Sequence, residues 1–180
     1  MAEQAREQLA LERVIWVPAA DPPHKRGQVI TPVKDRLEML RLALADNPHF
    51  VLSLVDVERP GPHYTADTLA LIASSNQEAE LFFLIGSDSL RDLPTWHDPV
   101  RLIRQAFLAV VQRPDVTYDL TALETVIPGL SNRLVFVDMP IVGIAAADIR
   151  QRVSSGRTIR YLLPSSVEAY IFQHKLYRDL

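Results

Sequence analysis

The chain has 180 residues, 48% of them hydrophobic, no cysteine and a formal net charge of -3. Without cysteine there are no disulfides, thiolate nucleophiles or cysteine-held metals. The small negative charge gives no general pull toward nucleic acid or an anionic membrane, and no apolar run reaches the about 18 residues that a membrane span needs. The length predicts one domain, 1–180, with a sizeable core, and the charged, helical opening MAEQAREQLALE is not a signal peptide, so a cytoplasmic location is expected.

In chain order, the Ala- and Glu-rich opening predicts a helix, and Val14-Ile15-Trp16-Val17 a strand ended by Pro18. The loop Ala19 to Ile30 carries Asp21-Pro22-Pro23-His24-Lys25-Arg26-Gly27, in which two prolines stiffen a basic tip that either faces a phosphate or is a solvated turn. Thr31-Pro32 predicts a helix start, with Leu37, Leu40 and Leu44 following at helical spacing. Phe50 to Val57 alternates as a second strand, Arg59-Pro60-Gly61-Pro62 breaks it, and Thr65 caps a helix through Ala73.

The stretch Leu81 to Pro99 organises the rest. Leu81-Phe82-Phe83-Leu84-Ile85 is too short for an isolated helix and reads as a strand buried on both faces. Gly86 permits a tight turn and close approach of a ligand, Ser87 caps the segment that follows, and Asp88 sits just past the carboxyl end of the strand. In open α/β sheets ligands bind there. Trp96 either stacks on a ligand ring or packs its own loop, His97 follows it, and Asp98-Pro99 starts a helix through Gln105. Phe107 to Val111 and Leu134 to Val137 are further strands, with a short helix at Thr121 to Val126 between them; helices at Ala146 to Ser155 and Pro164 to His174 finish the chain, the first stopped by Gly156. Apolar strands alternating with helices imply an α/β fold with a doubly wound parallel sheet.

Several chemistries lack their motifs. There is no G-x-S-x-G elbow, Walker A run or G-x-G-x-x-G, and His24, His49, His63, His97 and His174 show no pair at metal-ligand spacing on one helix face. What remains is a set of loops at the carboxyl ends of strands, Pro18 to Lys25, Pro62 to Thr68, Gly86 to Trp96 and Gly143 to Arg150, suited together to a nucleotide.

Four collinear segments, V-P-A-A-D-P-P-H-K-R, R-P-G-P-H-Y-T-A-D-T-L, F-F-L-I-G-S-D-S-L-R-D-L-P-T-W-H and I-R-Y-L-L-P-S-S-V-E-A-Y-I, closely resemble bacterial nicotinate-nucleotide adenylyltransferase over nearly the whole chain. The resemblance implies a Rossmann-like nucleotidyltransferase that joins the adenylyl group of ATP to nicotinate mononucleotide, with magnesium, giving deamido-NAD and pyrophosphate. By position, Thr65 and Trp96 are similar to pyridine-site residues, Gly86 and Asp88 to a pair beside a ribose, and His24, Lys25 and Arg150 to phosphate-facing groups, with Tyr64 counted among the substrate-binding residues. Nicotinamide mononucleotide or a pantetheine phosphate as acceptor fits these matches less well.

Two departures accompany the resemblance. The family's first strand and its G-x-F-x-P-x-H-x-G-H motif have no counterpart in these residues, and where the family has I-S-S-T-x-I-R this chain reads Ile144-Ala145-Ala146-Ala147-Asp148-Ile149-Arg150. The first departure leads to the expectation of a late-assigned start and of a sheet whose central strand is missing, leaving Val14 to Val17 and Leu81 to Ile85 without their shared neighbour. The second favours an alternative, a catalytically impaired relative that binds a mononucleotide or a protein partner. With the motif's two histidines absent no catalytic set is intact, Arg150 is a residual phosphate contact, and the chain as written is expected to be a weak or inactive enzyme.

Overall fold

The apolar run after residue 81 forms β3 (Phe82–Gly86), which lies parallel to β4 (Phe107–Val111), itself parallel to β5 (Leu134–Val137). Phe82 is opposite Phe107 and Leu108 opposite Leu134, so the strands run in step from their amino ends. This is a computed structural model, and it describes residues 1–20, 31–140 and 142–178. The chain divides into two units, one made of Met1–Gln28 and Ser53–Pro140, the other of Val29–Leu52 and Ile141–Leu180.

In the first unit the strand period of two sends side chains to opposite faces of the sheet. Phe83, Ile85, Leu108, Val110 and Leu134 pack with α3 (Thr65–Ser74), α4 (Ser87–Asp92), α5 (Pro99–Gln105) and α6 (Leu120–Val126). Phe82, Leu84, Ala109, Val111 and Val137 face the other way, onto Ala5 and Leu9 at α1 (Ala2–Gln8). Helices thus cover both faces, and the side chains of Leu90, Leu93, Leu102, Leu108 and Ile127 are fully buried between them. Gln8 ties α1 to the end of β5, its Nε2 donating to the Asp138 carbonyl at 2.6 Å and its Oε1 accepting from the Asp138 N–H at 3.0 Å.

β3 is less buried than its composition predicts: Phe82, Phe83 and Leu84 are half-buried, and only Ile85 and Gly86 are buried. The cause is its place in the sheet. Among the described residues β3 pairs only with β4, and β1 (Val14–Trp16) is not hydrogen-bonded to it, so the gap expected between these strands is not closed by pairing them.

The second unit contains α2 (Val33–Leu44), β2 (Phe50–Leu52), α7 (Ala146–Ser154) and α8 (Ser165–Gln173), with Val153, Ile159, Val167 and Ile171 packed on Met39 and Leu42. Two local expectations change. Pro32 occupies the N-cap position of α2 rather than its first turn, and the Thr31 hydroxyl donates to the Tyr177 hydroxyl at 3.2 Å instead of capping. The predicted strand from Phe50 to Val57 stops at Leu52, because the chain turns where the N–H groups of Val57 and Glu58 both bond to the Leu54 carbonyl. Gly156, at φ +67°, ends α7 as expected from a residue with no Cβ penalty.

Candidate nucleotide site

A cleft of about 1170 Å³ opens beside β3 in the first unit, lined by Val14 to Val17 on one side and Leu81 to Leu84 on the other. At its floor and rim stand Tyr64, Thr65, Asp88 and Trp96, four of the residues read as site candidates from the sequence. Gly86 closes the end of β3 immediately below Asp88. His24 and Lys25 lie outside the described residues. Arg150 belongs to the second unit, half-buried on α7.

Local structure explains the placement of each. Thr65 is the first residue of α3 and Tyr64 its N-cap, so the cap is Tyr64 and not Thr65, and no side chain caps this end. The helix is held instead from the side: Asp67 pairs with Arg101 on α5 at 2.7 Å, and Gln105 Nε2 donates to the Ala66 carbonyl at 3.1 Å. The Tyr64 ring stacks on His97, centroids 4.0 Å apart and planes 22° from parallel. Trp96, next in the chain, meets Phe83 of β3 edge-on at 6.1 Å while also lining the cleft, so packing and exposure to a ligand are not alternatives for it.

Asp88 sits in the first turn of α4, whose N-cap is Gly86, not Ser87. Ser87, fully buried, turns its hydroxyl to accept from the N–H of Arg113 at 3.0 Å and so links the carboxyl end of β3 to that of β4. Asp88 Oδ2 lies 3.4 Å from Arg113 Nη1, whereas its Oδ1 is shielded from water and has no hydrogen-bond partner among the described residues. An unsatisfied buried acceptor is costly; this one lies against Gly86, while the Asp88 side chain as a whole stays 39% exposed.

Most charged side chains of the described cleft are carboxylates, and Asp88 and Asp92 have arginine partners at 3.4 and 2.8 Å. Glu12, Glu80, Asp88 and Asp92 line it; Asp92 is held below the usual carboxylate range chiefly by its hydrogen bond from Arg91. Asp56 also lines it but is neutralised by Arg59 at 2.8 Å, and Arg13 donates to Asn76 at 2.7 Å. Among the described residues no three His, Asp or Glu side chains gather so as to hold a metal ion.

Asp56, His63 and Thr68 also line the cleft; the last two fall in the loop and segment singled out from the sequence, though neither is named there as a site residue. Asp56 falls at the end of the run read as a strand, where no motif marks it; its nearest signal is the opposite charge of Arg59 three residues on.

Comparison with known proteins shows the family. The family model described as cytidylyltransferase-like matches residues 1–160. A protein of Thermomicrobium roseum named probable nicotinate-nucleotide adenylyltransferase is 52% identical over 180 residues, which is 100% of this chain and 84% of the relative. The chain belongs to the bacterial nicotinate-nucleotide adenylyltransferase family. Relatives of the same name in Roseiflexus and Thermus thermophilus are 44% and 43% identical over 178 and 177 residues, covering 99% and 98% of this chain and 89% of each relative. Among solved structures, Plasmodium falciparum nicotinic acid mononucleotide adenylyltransferase complexed with NaAD superposes with a TM-score of 0.71 over 97% of this chain and 89% of that one, at 16% identity. At that identity the likeness concerns the fold: an α/β, Rossmann-like nucleotidyltransferase architecture, as the alternation of strands and helices predicts.

Where the resemblance implies a hydroxyl-rich helix start, α7 has Ala145 as N-cap, and its exposed first residues Ala146 and Ala147 bring no side-chain hydrogen bond to its amino end. Its backbone N–H groups keep the attraction for an anion that any helix start has.

Proposed function

We propose that this protein transfers the adenylyl group of ATP to nicotinate mononucleotide, releasing pyrophosphate and forming deamido-NAD. The observation that carries the reading is the gathering of Tyr64, Thr65, Asp88 and Trp96 in one cleft of a chain belonging to this family. In this reading Trp96, Tyr64 and Thr65 form the pyridine end. Asp88, above Gly86, accepts from a ribose hydroxyl. His24, Lys25 and Arg150 serve the phosphates, and magnesium arrives with ATP as part of the substrate.

The chemistry asked of the protein is modest. The mononucleotide phosphate attacks the α-phosphate of ATP in line, one P–O bond forms as the bond to pyrophosphate breaks, and the protein contributes alignment and charge. Localisation is read as cytoplasmic; among the described residues no helix is long and apolar enough to cross a membrane.

The test is incubation of the chain with nicotinate mononucleotide, ATP and magnesium, with deamido-NAD followed by chromatography. Product formation at a rate proportional to protein supports the reading; no product, and no calorimetric binding of either nucleotide, overturns it. A second reading, a relative that binds the mononucleotide without turnover, is favoured by the alanines at the start of α7. It predicts calorimetric binding of nicotinate mononucleotide with no deamido-NAD formed.

A further inference from the structure

Thr65 and Thr68 stand one turn apart on α3, and the reading above uses only Thr65. We propose that Asp56, acting through Thr68 and Arg59, is a positioning residue that sets the Tyr64–Thr65 wall of the cleft; the proposal rests on the reading of that wall as the pyridine end of the site.

Asp56 is nearly fully buried, at 5% exposure. A carboxylate so placed must be compensated by charge and hydrogen bonds, and here the compensation comes from the two ends of one segment. Arg59 donates to Asp56 Oδ1 from Nε at 3.0 Å and approaches it with Nη2 at 2.8 Å. The Thr68 hydroxyl lies 2.8 Å from Oδ1 and 3.0 Å from Oδ2, and itself accepts from Arg59 Nη2 at 3.1 Å. The three side chains form a closed triangle. Between the corners contributed by Arg59 and Thr68 run His63, Tyr64 and Thr65, all of which line the cleft.

The backbone of the segment is tied as well. His63, itself buried, places Nε2 at 3.1 Å from the Arg59 carbonyl, where a ring nitrogen donates. Removing the Asp56 charge leaves a half-buried guanidinium unpaired and frees Thr68, so both ends of the segment loosen together. None of the three groups of the triangle needs to touch the substrate for this to matter, because the wall they hold is the part that would touch it. Closed networks of this kind resist displacement more than their separate bonds do.

The experiment uses the full chain and the variants Asp56→Asn, Thr68→Val and Thr68→Ser. Calorimetry gives the affinity for nicotinate mononucleotide and, separately, for ATP; amide hydrogen exchange reports residues 59–68. The expected result is a loss of mononucleotide affinity of about tenfold or more in Asp56→Asn and Thr68→Val, with ATP affinity little changed, faster exchange over 59–68, and near wild-type behaviour in Thr68→Ser, which keeps the hydroxyl. Equal losses for both nucleotides, or faster exchange with mononucleotide affinity intact, would overturn the positioning role alone. Should Asp56→Asn fail to fold, the Thr68 pair decides by itself. Failure of the wild-type chain to bind nicotinate mononucleotide would overturn the functional reading, and the positioning role with it.

Discussion

The carboxylate of Asp88 lies over Gly86 so closely that a Cβ on residue 86 would overlap its Oδ1, with Arg113 Nε a further 3.3 Å neighbour of that Cβ. Glycine is required here by space and not by backbone conformation, since Gly86 has φ -86°. Gly86→Ala is therefore expected to displace Asp88 while costing about 1 kcal/mol or less of stability, because a short side chain can swing away more cheaply than backbone can. Affinity for a ribose-bearing ligand should fall by about tenfold, since a hydrogen bond to a charged acceptor is lost. Urea denaturation beside calorimetry checks both halves; an unchanged affinity would show that the Asp88 position does not matter.

At the start of α5, Asp98 does two jobs in one residue. Its Oδ1 accepts from the Arg101 N–H at 3.1 Å, and its backbone sits in the left-handed region at φ 48°, ψ 61°. Asn preserves the acceptor and tolerates that conformation, Gly loses the acceptor but relieves the backbone, and Ala does neither. Stability should thus fall in the order Asn, Gly, Ala, with Asp98→Ala about 2 kcal/mol below wild type from the cap and the backbone together. Denaturation midpoints of the three variants test the order; an alanine variant as stable as the asparagine one would refute it.

Glu124 offers a pH dependence whose sign follows from its contacts. The N–H and hydroxyl of Ser131, both at 2.7 Å, and the N–H of Gly129 at 2.6 Å hold its carboxyl below the usual glutamate range, the Ser131 backbone first. A folded-state value lowered in this way stabilises the protein above the unfolded-state pKa of about 4.3 and ceases to do so as pH falls through the folded value. Glu124→Gln should therefore melt below wild type at neutral pH, and the gap should narrow as the pH is taken below about 4. Melting curves across that range decide; a gap independent of pH would mean the charge contributes nothing.

How much of this was legible in advance depended on whether the signal was local. Asp98-Pro99 announces a helix start through two adjacent residues, and the structure has Asp98 as N-cap and Pro99 in the first position. Phe107 to Val111 is a strand with the bounds its apolar run predicts. The half-burial of Phe82 to Leu84 is set by which strand pairs with β3, a fact of topology that composition does not carry and that only the resemblance, with its missing neighbour strand, pointed to. The pairing of Asp56 with Thr68 was hidden for a similar reason: twelve residues separate them, and only the turn of the chain brings an unremarkable Asp beneath the first turn of α3. Trp96 was readable as a residue of interest but not as one with both a packing partner and a cleft face.

Those two faces of Trp96 can be separated. Its edge contact with Phe83 belongs to the packing of the unit, and its place in the cleft to ligand binding. Trp96→Ala removes both and should cost about 1–3 kcal/mol of stability for a half-buried ring. Trp96→Phe keeps an aromatic edge for Phe83 but offers a smaller π surface, and should recover most of the stability. If the ring stacks on the pyridine, the phenylalanine variant should still bind nicotinate mononucleotide several-fold more weakly than wild type, since stacking on a smaller face recovers only part of an interaction worth about 0.5–1.5 kcal/mol. The alanine variant should bind about tenfold more weakly or worse. Denaturation and calorimetry on the same samples provide the comparison. Should Trp96→Phe restore affinity as fully as it restores stability, Trp96 acts on the site only by packing its loop.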